Sequence, residues 1–200
     1  MLFAVNISTS TQVYVSPSDQ LVIKDATFNL SIYCVPSEPI KSYEFEITYD
    51  KTKIRFDNYT EGNIFDGYPT FFSPSMVIDN ENGTIREVYC LIVGVGNVTN
   101  PGYLLNLSGT ALNVTNGVPM VTLIDVGITN ETQYLPVVVT NGRVEVRGVN
   151  RYDVNGNEIV NSIDLSIAWT GRNSYSLLYD VNSNGAINAI DLSIIWYNRG

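Results

Sequence analysis

"SYEFEITYDKTKIRFDN" occupies residues 42–58. Within it Tyr43, Phe45, Ile47 and Tyr49 alternate with Glu44, Glu46 and Thr48, the period of two that sends one side of a strand into a core and the other into water. A polar break follows, and Ile54 and Phe56 resume the alternation, so the stretch is predicted as two antiparallel strands joined by a turn. Working outward, similar runs lie at 12–15, 27–34, 76–79, 84–93, 103–112, 118–125, 134–140 and 143–147. Between them stand "SPSD", "DNENG", "VGNVTNPG" and two "TNG" turns, residue types that break strands because they suit tight or left-handed backbone. No segment before residue 150 shows a convincing helical period. Nine or ten short strands predict a mostly β fold, an antiparallel jelly-roll β-sandwich.

The end of the chain reads differently. "DVNGNEIVNSIDLSIAW" (153–169) and "DVNSNGAINAIDLSIIW" (180–196) agree at eleven of seventeen positions and lie 27 residues apart. Asp153, Asn155, Asn157, Asn161 and Asp164 fall at positions 1, 3, 5, 9 and 12 of the first copy, and Asp180, Asn182, Asn184, Asn188 and Asp191 at those of the second. That is the ligand spacing of a twelve-residue calcium loop, in which a hard cation gathers six to eight oxygens. The backbone carbonyls of Ile159 and Ala186, at position 7, complete each set. An apolar run follows each loop, which predicts a helix with Asp164 or Asp191 in its first turn, where a carboxylate also suits the helix dipole. No amphipathic helix precedes either loop, so the chain ends in paired half EF-hands, a small α-helical module expected to hold two Ca2+ ions. A pair of Asn/Asp/Gly turns is the plainer reading of one copy; two copies in register favour calcium.

These repeats resemble the type I dockerin module, whose pattern is two D-x-N-x-D-G-x-x-N-x-x-D loop–helix units, over residues 151–200. Position 5 departs from that pattern, being Asn in both loops, so each ion would meet two carboxylates. Position 6, where the sharp turn wants Gly, is Gly185 in the second loop but Glu158 in the first. A Glu forced to positive φ is strained, so the first site is expected to be the weaker, and Asp180→Ala to be more harmful than Asp153→Ala. Neither helix covers its apolar face alone. The two units are expected to pack with approximate two-fold symmetry and bury Ile163, Ile167, Ile190 and Ile194. Ser162, Ile163, Ala189 and Ile190 are expected to form the partner-binding surface.

The strand-rich part resembles the cohesin family over residues 11–147. "SYEFEITYDKTKIRFDN…EGNIFDG" is similar to a cohesin strand ending in Tyr-Asp, a turn, and a second strand leading to Gly. "PGYLLNLSGTALN" (101–113) is similar to a later cohesin strand. The resemblance implies a non-catalytic sandwich whose partner is a dockerin, so one chain would carry both complementary modules. The connection at 146–151 reaches about 20 Å when extended, which favours docking in trans and head-to-tail assembly, with a cohesin-like domain of a neighbouring copy or of a scaffold protein as partner. A second reading is a sugar-binding sandwich carried to a larger complex by its dockerin.

Charge and composition narrow the classes. Net charge is −9, against nucleic acid and anionic membrane surfaces as partners. No apolar run approaches the eighteen or so residues of a membrane span. The chain has no histidine, which removes the commonest general base and the usual catalytic triads. Glu44 and Glu46 share the polar side of one strand, as a solvated face does. Catalysis is not expected. Eight N-x-[ST] sequons, at Asn6, Asn29, Asn58, Asn82, Asn97, Asn106, Asn113 and Asn130, all precede the calcium repeats and point to an exported, glycosylated protein at the cell surface or outside the cell. Cys34 and Cys90 permit one disulfide, or remain two buried thiols. Residues 1–10 carry Phe3, Val5 and Ile7 on one face and are expected to be a leader remnant, an added edge strand, or a strand donated to a neighbour.

Overall fold

The computed structural model describes residues 10–115, 120–172 and 176–199. The N-terminal extension expected at 1–10, with the sequon at Asn6, falls outside them apart from residue 10. Twelve strands and two helices follow one another: β1 (Thr11–Ser16), β2 (Asp19–Ile23), β3 (Thr27–Val35), β4 (Ser42–Tyr49), β5 (Ile54–Glu61), β6 (Thr70–Phe72), β7 (Val77–Asp79), β8 (Thr84–Ile92), β9 (Gly102–Ala111), β10 (Met120–Thr129), β11 (Val137–Thr140), β12 (Gly142–Arg147), α1 (Ser162–Gly171) and α2 (Ala189–Tyr197).

Two sheets form the sandwich. One has five strands in the order β11-β1-β3-β9-β5; the other runs β2-β12-β10-β4-β8-β6, with β7 also paired to β8. Pairing is antiparallel except for β1 with β11 and β2 with β12, which run parallel. The alternation read at 42–58 is what packs the two layers. Tyr43, Phe45, Ile47 and Tyr49 are 2%, 2%, 0% and 7% exposed, and Ile54 and Phe56 1% each. Each such apolar side chain contributes roughly 2–3 kcal/mol by leaving water. Facing strands answer with Phe28, Leu30, Ile32 and Leu104. The Tyr49 ring meets Phe56 edge-on at 4.9 Å between centroids. Both hydroxyls this brings into the core are satisfied: Tyr43 Oη donates to the Leu104 carbonyl at 2.6 Å and Tyr49 Oη to Asn80 Oδ1 at 2.7 Å.

β2 and β6 are absent from the expected strands. β2 is an edge strand with a single buried side chain, Val22, and β6 is three residues long, so neither carries enough alternation to be read. Cys34 and Cys90 are free thiols in different sheets, both buried, and the optional disulfide is not formed. Burial pushes both thiols up to about 12, which keeps them protonated and inert at neutral pH.

After β12 the chain passes directly into the loop–helix repeats. Their own core is small: Val154, Val160, Ala168, Leu178, Val181 and Ile195. The helices share this core, and the residues they bury most completely are Ala168 and Ile195, both 0% exposed. Ile163 and Ile190, expected to be buried, are 54% and 56% exposed. Ile167 and Ile194 pack only partly against the core.

Candidate functional site

Each repeat folds around its first and last carboxylates. Asp153 is 3% exposed; its Oδ1 accepts the amide protons of Gly156 and Asn157 (2.8 and 3.1 Å) and its Oδ2 that of Glu158 (2.6 Å). Asp180, 4% exposed, does the same with Asn184 and Gly185 at 3.0 and 2.8 Å. Asp164 and Asp191, both 0% exposed, close the loops by accepting from Asn155 and Asn182 through Oδ1 and from Asn161 and Asn188 through Oδ2. Between them, Asn155 and Asn182 turn their side-chain oxygens onto the amides of Asn157 and Asn184, while Asn157 and Asn184 turn theirs onto those of Ile159 and Ala186. Carboxylates this deep hold their charge only against donors or a cation.

Position 9 does a second job that the ligand spacing alone does not show. Asn161 and Asn188 are the N-caps of α1 and α2, accepting from Ile163 and Ile190, and Asp164 and Asp191 complete a capping box at the third helical position. One pair of residues therefore closes the loop and starts the helix. That is why a loop with no preceding helix is followed immediately by one.

Position 6 sits at positive φ, as expected, with Glu158 at 70° and Gly185 at 85°. Position 4 does too, with Gly156 at 69° and Ser183 at 60°. Each loop thus has one glycine and one strained residue, in swapped places. The reason for expecting a weaker first site is therefore matched by equal strain in the second.

The donor set fits calcium. It is all oxygen, from two carboxylates, three side-chain amides and one carbonyl in each loop, the hard-ligand chemistry that ion prefers. Each loop supplies two acids and otherwise only neutral oxygens, and among the described residues no group of three or more His, Cys, Asp or Glu could hold a metal ion.

The repeat also runs further than seventeen residues. Arg172 lies over the Trp169 ring at 4.0 Å and Arg199 over Trp196 at 3.0 Å, each also donating to the tryptophan's own carbonyl. "WTGR" and "WYNR" are legible in sequence as a shared Trp-x-x-Arg, though their stacking is not. The expected partner residues Ser162, Ile163, Ala189 and Ile190 are all exposed.

On the sandwich, the outer face of the seven-stranded sheet is acidic and partly apolar. Glu44, Glu46, Glu87, Tyr89 and Asp125 line a shallow depression of about 270 Å³, with Phe71, Leu91 and Val93 exposed beside it. Two irregularities shape it: the β4–β8 register shifts between Phe45 and Ile47, and the β10–β4 register between Ile124 and Gly127. Glu87 and Asp125 lie there at φ of 58° and 51°, and bulges of this kind re-aim side chains near functional surfaces. The opposite face carries three sequon asparagines, Asn29 on β3, Asn58 on β5 and Asn106 on β9, which line one depression. Asn82, Asn97, Asn113 and Asn130 lie in connections, and among the described residues no sequon asparagine falls within a strand of the seven-stranded sheet. A tyrosine ladder, Tyr14–Tyr33–Tyr103, crosses the five-stranded sheet with its rings tilted or edge-on to one another, not laid flat as a sugar platform would be.

A two-layer sandwich joined to a pair of loop–helix units, each closed by two buried carboxylates, divides the chain into two modules of different build. Comparison with known proteins makes the assignment specific: the family model of the cohesin domain matches residues 24–146 and that of the type I dockerin domain residues 151–196. The chain belongs to the cohesin family and carries a C-terminal type I dockerin domain. Both are non-catalytic assembly modules, and type I dockerin domains bind calcium. Solved structures agree at the level of fold. A type I cohesin–dockerin complex from Clostridium thermocellum is 17% identical with a TM-score of 0.57, covering 70% of this chain and 97% of that one. A non-cellulosomal cohesin from the hyperthermophilic archaeon Archaeoglobus fulgidus is 11% identical with a TM-score of 0.55, covering 70% and 92%. No curated protein matches the chain.

Proposed function

We propose that this is an extracellular assembly protein whose copies join head to tail, the calcium-loaded dockerin of one chain docking on the cohesin sandwich of the next. The observation that carries it is the presence of both modules in one chain with complementary exposed surfaces. The sandwich offers Glu44, Glu46, Glu87 and Asp125 on one face. The dockerin module's three basic residues are Arg151, Arg172 and Arg199, and the last two cap the helix ends beside exposed Trp169 and Trp196. Opposite charge across such a surface steers encounter and fixes register. Each loop takes one calcium ion, with ligands from Asp153, Asn155, Asn157, Ile159, Asn161 and Asp164, and from Asp180, Asn182, Asn184, Ala186, Asn188 and Asp191. The ion neutralises the paired carboxylates, and the loops in turn hold Ser162, Ile163, Ala189 and Ile190 in place for the partner.

A contact between unlike faces that does not close into a ring propagates as a filament. Glycans at Asn29, Asn58 and Asn106 would coat the five-stranded sheet and leave the acidic face bare. Among the described residues no helix is long and apolar enough to cross a membrane. Electron microscopy of the purified chain in calcium tests the reading. Filaments or linear oligomers that chelator disperses are expected. Isolated particles at high concentration, with or without chelator, would show that the dockerin serves a separate cohesin-bearing scaffold instead.

A further inference from the structure

The strand that ends the sandwich buries a glutamate on the side away from the core. On β12, Val144 and Val146 point into the core at 0% exposure, so Glu145 between them points out of the sheet, yet it is only 1% exposed. The dockerin module covers it. Glu145 Oε2 accepts from the Ser176 hydroxyl at 2.7 Å and from the Leu178 amide at 3.0 Å, while Oε1 is buried with no hydrogen-bond partner among the described residues. Ser176 and Leu178 are themselves 6% and 4% exposed.

The covering segment is the doorstep of the second calcium loop. Ser176 O accepts from the Tyr179 and Asp180 amides at 3.2 and 3.3 Å, closing a tight turn whose last residue is the first ligand of that loop. The first loop touches the sandwich elsewhere. A Cβ on Gly156 would run into the Val114 side chain, and the neighbouring Thr115 is hydrogen-bonded to Val146 through its amide and hydroxyl.

We infer that Glu145 is a positioning residue that clamps the dockerin module to its own sandwich and pre-forms the second calcium loop, so that the two modules move as one body. A carboxylate is a costly way to fill such a contact. An apolar side chain would pack as well, but would accept many orientations of the segment above it. Two converging donors accept one. The clamp sits at the β12 side of the sheet, and Glu44, Glu87 and Asp125 remain exposed, as do Ile163 and Ile190. Intramolecular packing therefore uses neither docking surface and sets a constant angle between them. The calcium part of this inference rests on the two-ion reading above; the rigid-body part does not.

The test uses the full-length chain, as wild type, Glu145→Ala, Glu145→Gln and Ser176→Ala. Calcium is titrated while the Gly156 and Gly185 amides are followed by NMR as reporters of the first and second loops, and rotational correlation times are measured for the two modules. Wild type should tumble as one body. Glu145→Ala should lower calcium affinity at the second loop about fivefold relative to the first, the scale of one net hydrogen bond, and should let the modules tumble separately. Ser176→Ala, which leaves the sandwich untouched, should shift both readouts the same way. Glu145→Gln, whose amide oxygen accepts from the same two donors, should restore them. Equal loss at both loops, or single-body tumbling and unchanged affinity in the alanine variants, would overturn the clamp. A wild type that tumbles as one body without titrating would refute the calcium sites and leave the clamp to be judged by the variants' tumbling.

Discussion

Glu158 and Ser183 illustrate how much one backbone angle carries. Both are ordinary L-residues in the left-handed region, at φ of 70° and 60°, where a side chain costs about 1 kcal/mol. The sequence shows Gly at position 6 of one loop only and invites a ranking of the two sites. The structure shows a second left-handed position, occupied by Gly156 in the first loop and Ser183 in the second. Glu158→Gly and Ser183→Gly should each stabilise the calcium-loaded module by somewhat less than about 1 kcal/mol, since glycine's extra unfolded-state freedom offsets part of the gain. Thermal denaturation in calcium measures it, and a gain at Glu158 alone would restore the original ranking. Asp153→Ala and Asp180→Ala should be similarly harmful. Each strips a buried acceptor from two or more amides, a loss of about 2–3 kcal/mol before the missing ligand is counted.

At the scale of elements, the legibility of the chain follows the strength of its periodicity. β3 and β4 alternate strictly, and β5 does so only as far as Phe56, beyond which its register shifts. β2 and β6 are too exposed or too short to alternate. In α1 and α2 the failure has another cause. "SIDLSIAW" and "AIDLSIIW" are apolar nearly all round, so periodicity cannot say which side faces in, and it is Ala168 and Ile195 that are buried while Ile163 and Ile190 are exposed. The loop positions are legible because the twelve-residue spacing is fixed, and its first and last carboxylates are the buried ones in each repeat. Glu145 is not legible, because one glutamate in an alternating strand looks like any solvated residue until the segment above it is placed. The exposed isoleucines yield a test of the helix surface. Ile163→Glu and Ile190→Glu should change stability by less than about 0.5 kcal/mol, as exposed substitutions do, and leave calcium binding intact while the double variant loses docking. Calorimetric calcium titration beside a pull-down on the cohesin sandwich would show it. Calcium lost together with docking would mean these side chains serve the loops.

For the whole molecule, the asymmetry of the sandwich is the strongest constraint. Among the described residues the sequon asparagines lie on the five-stranded sheet and in connections, and the acidic cluster of Glu44, Glu46, Glu87 and Asp125 lies on the other face. Asn29→Gln, Asn58→Gln and Asn106→Gln together should therefore leave association unchanged, whereas Glu44→Lys with Glu87→Lys should weaken it at least tenfold, like charge then facing Arg172 and Arg199 of the next copy. Binding assays between separately tagged copies would report both. Calcium-dependent joining of one copy to the next is tested most directly by light scattering on the full chain across a concentration series, with calcium and then with chelator. The account predicts a mass that climbs with concentration in calcium and returns to the 22.2 kDa of one chain when calcium is removed. A mass of one chain under both conditions, at every concentration, would contradict it.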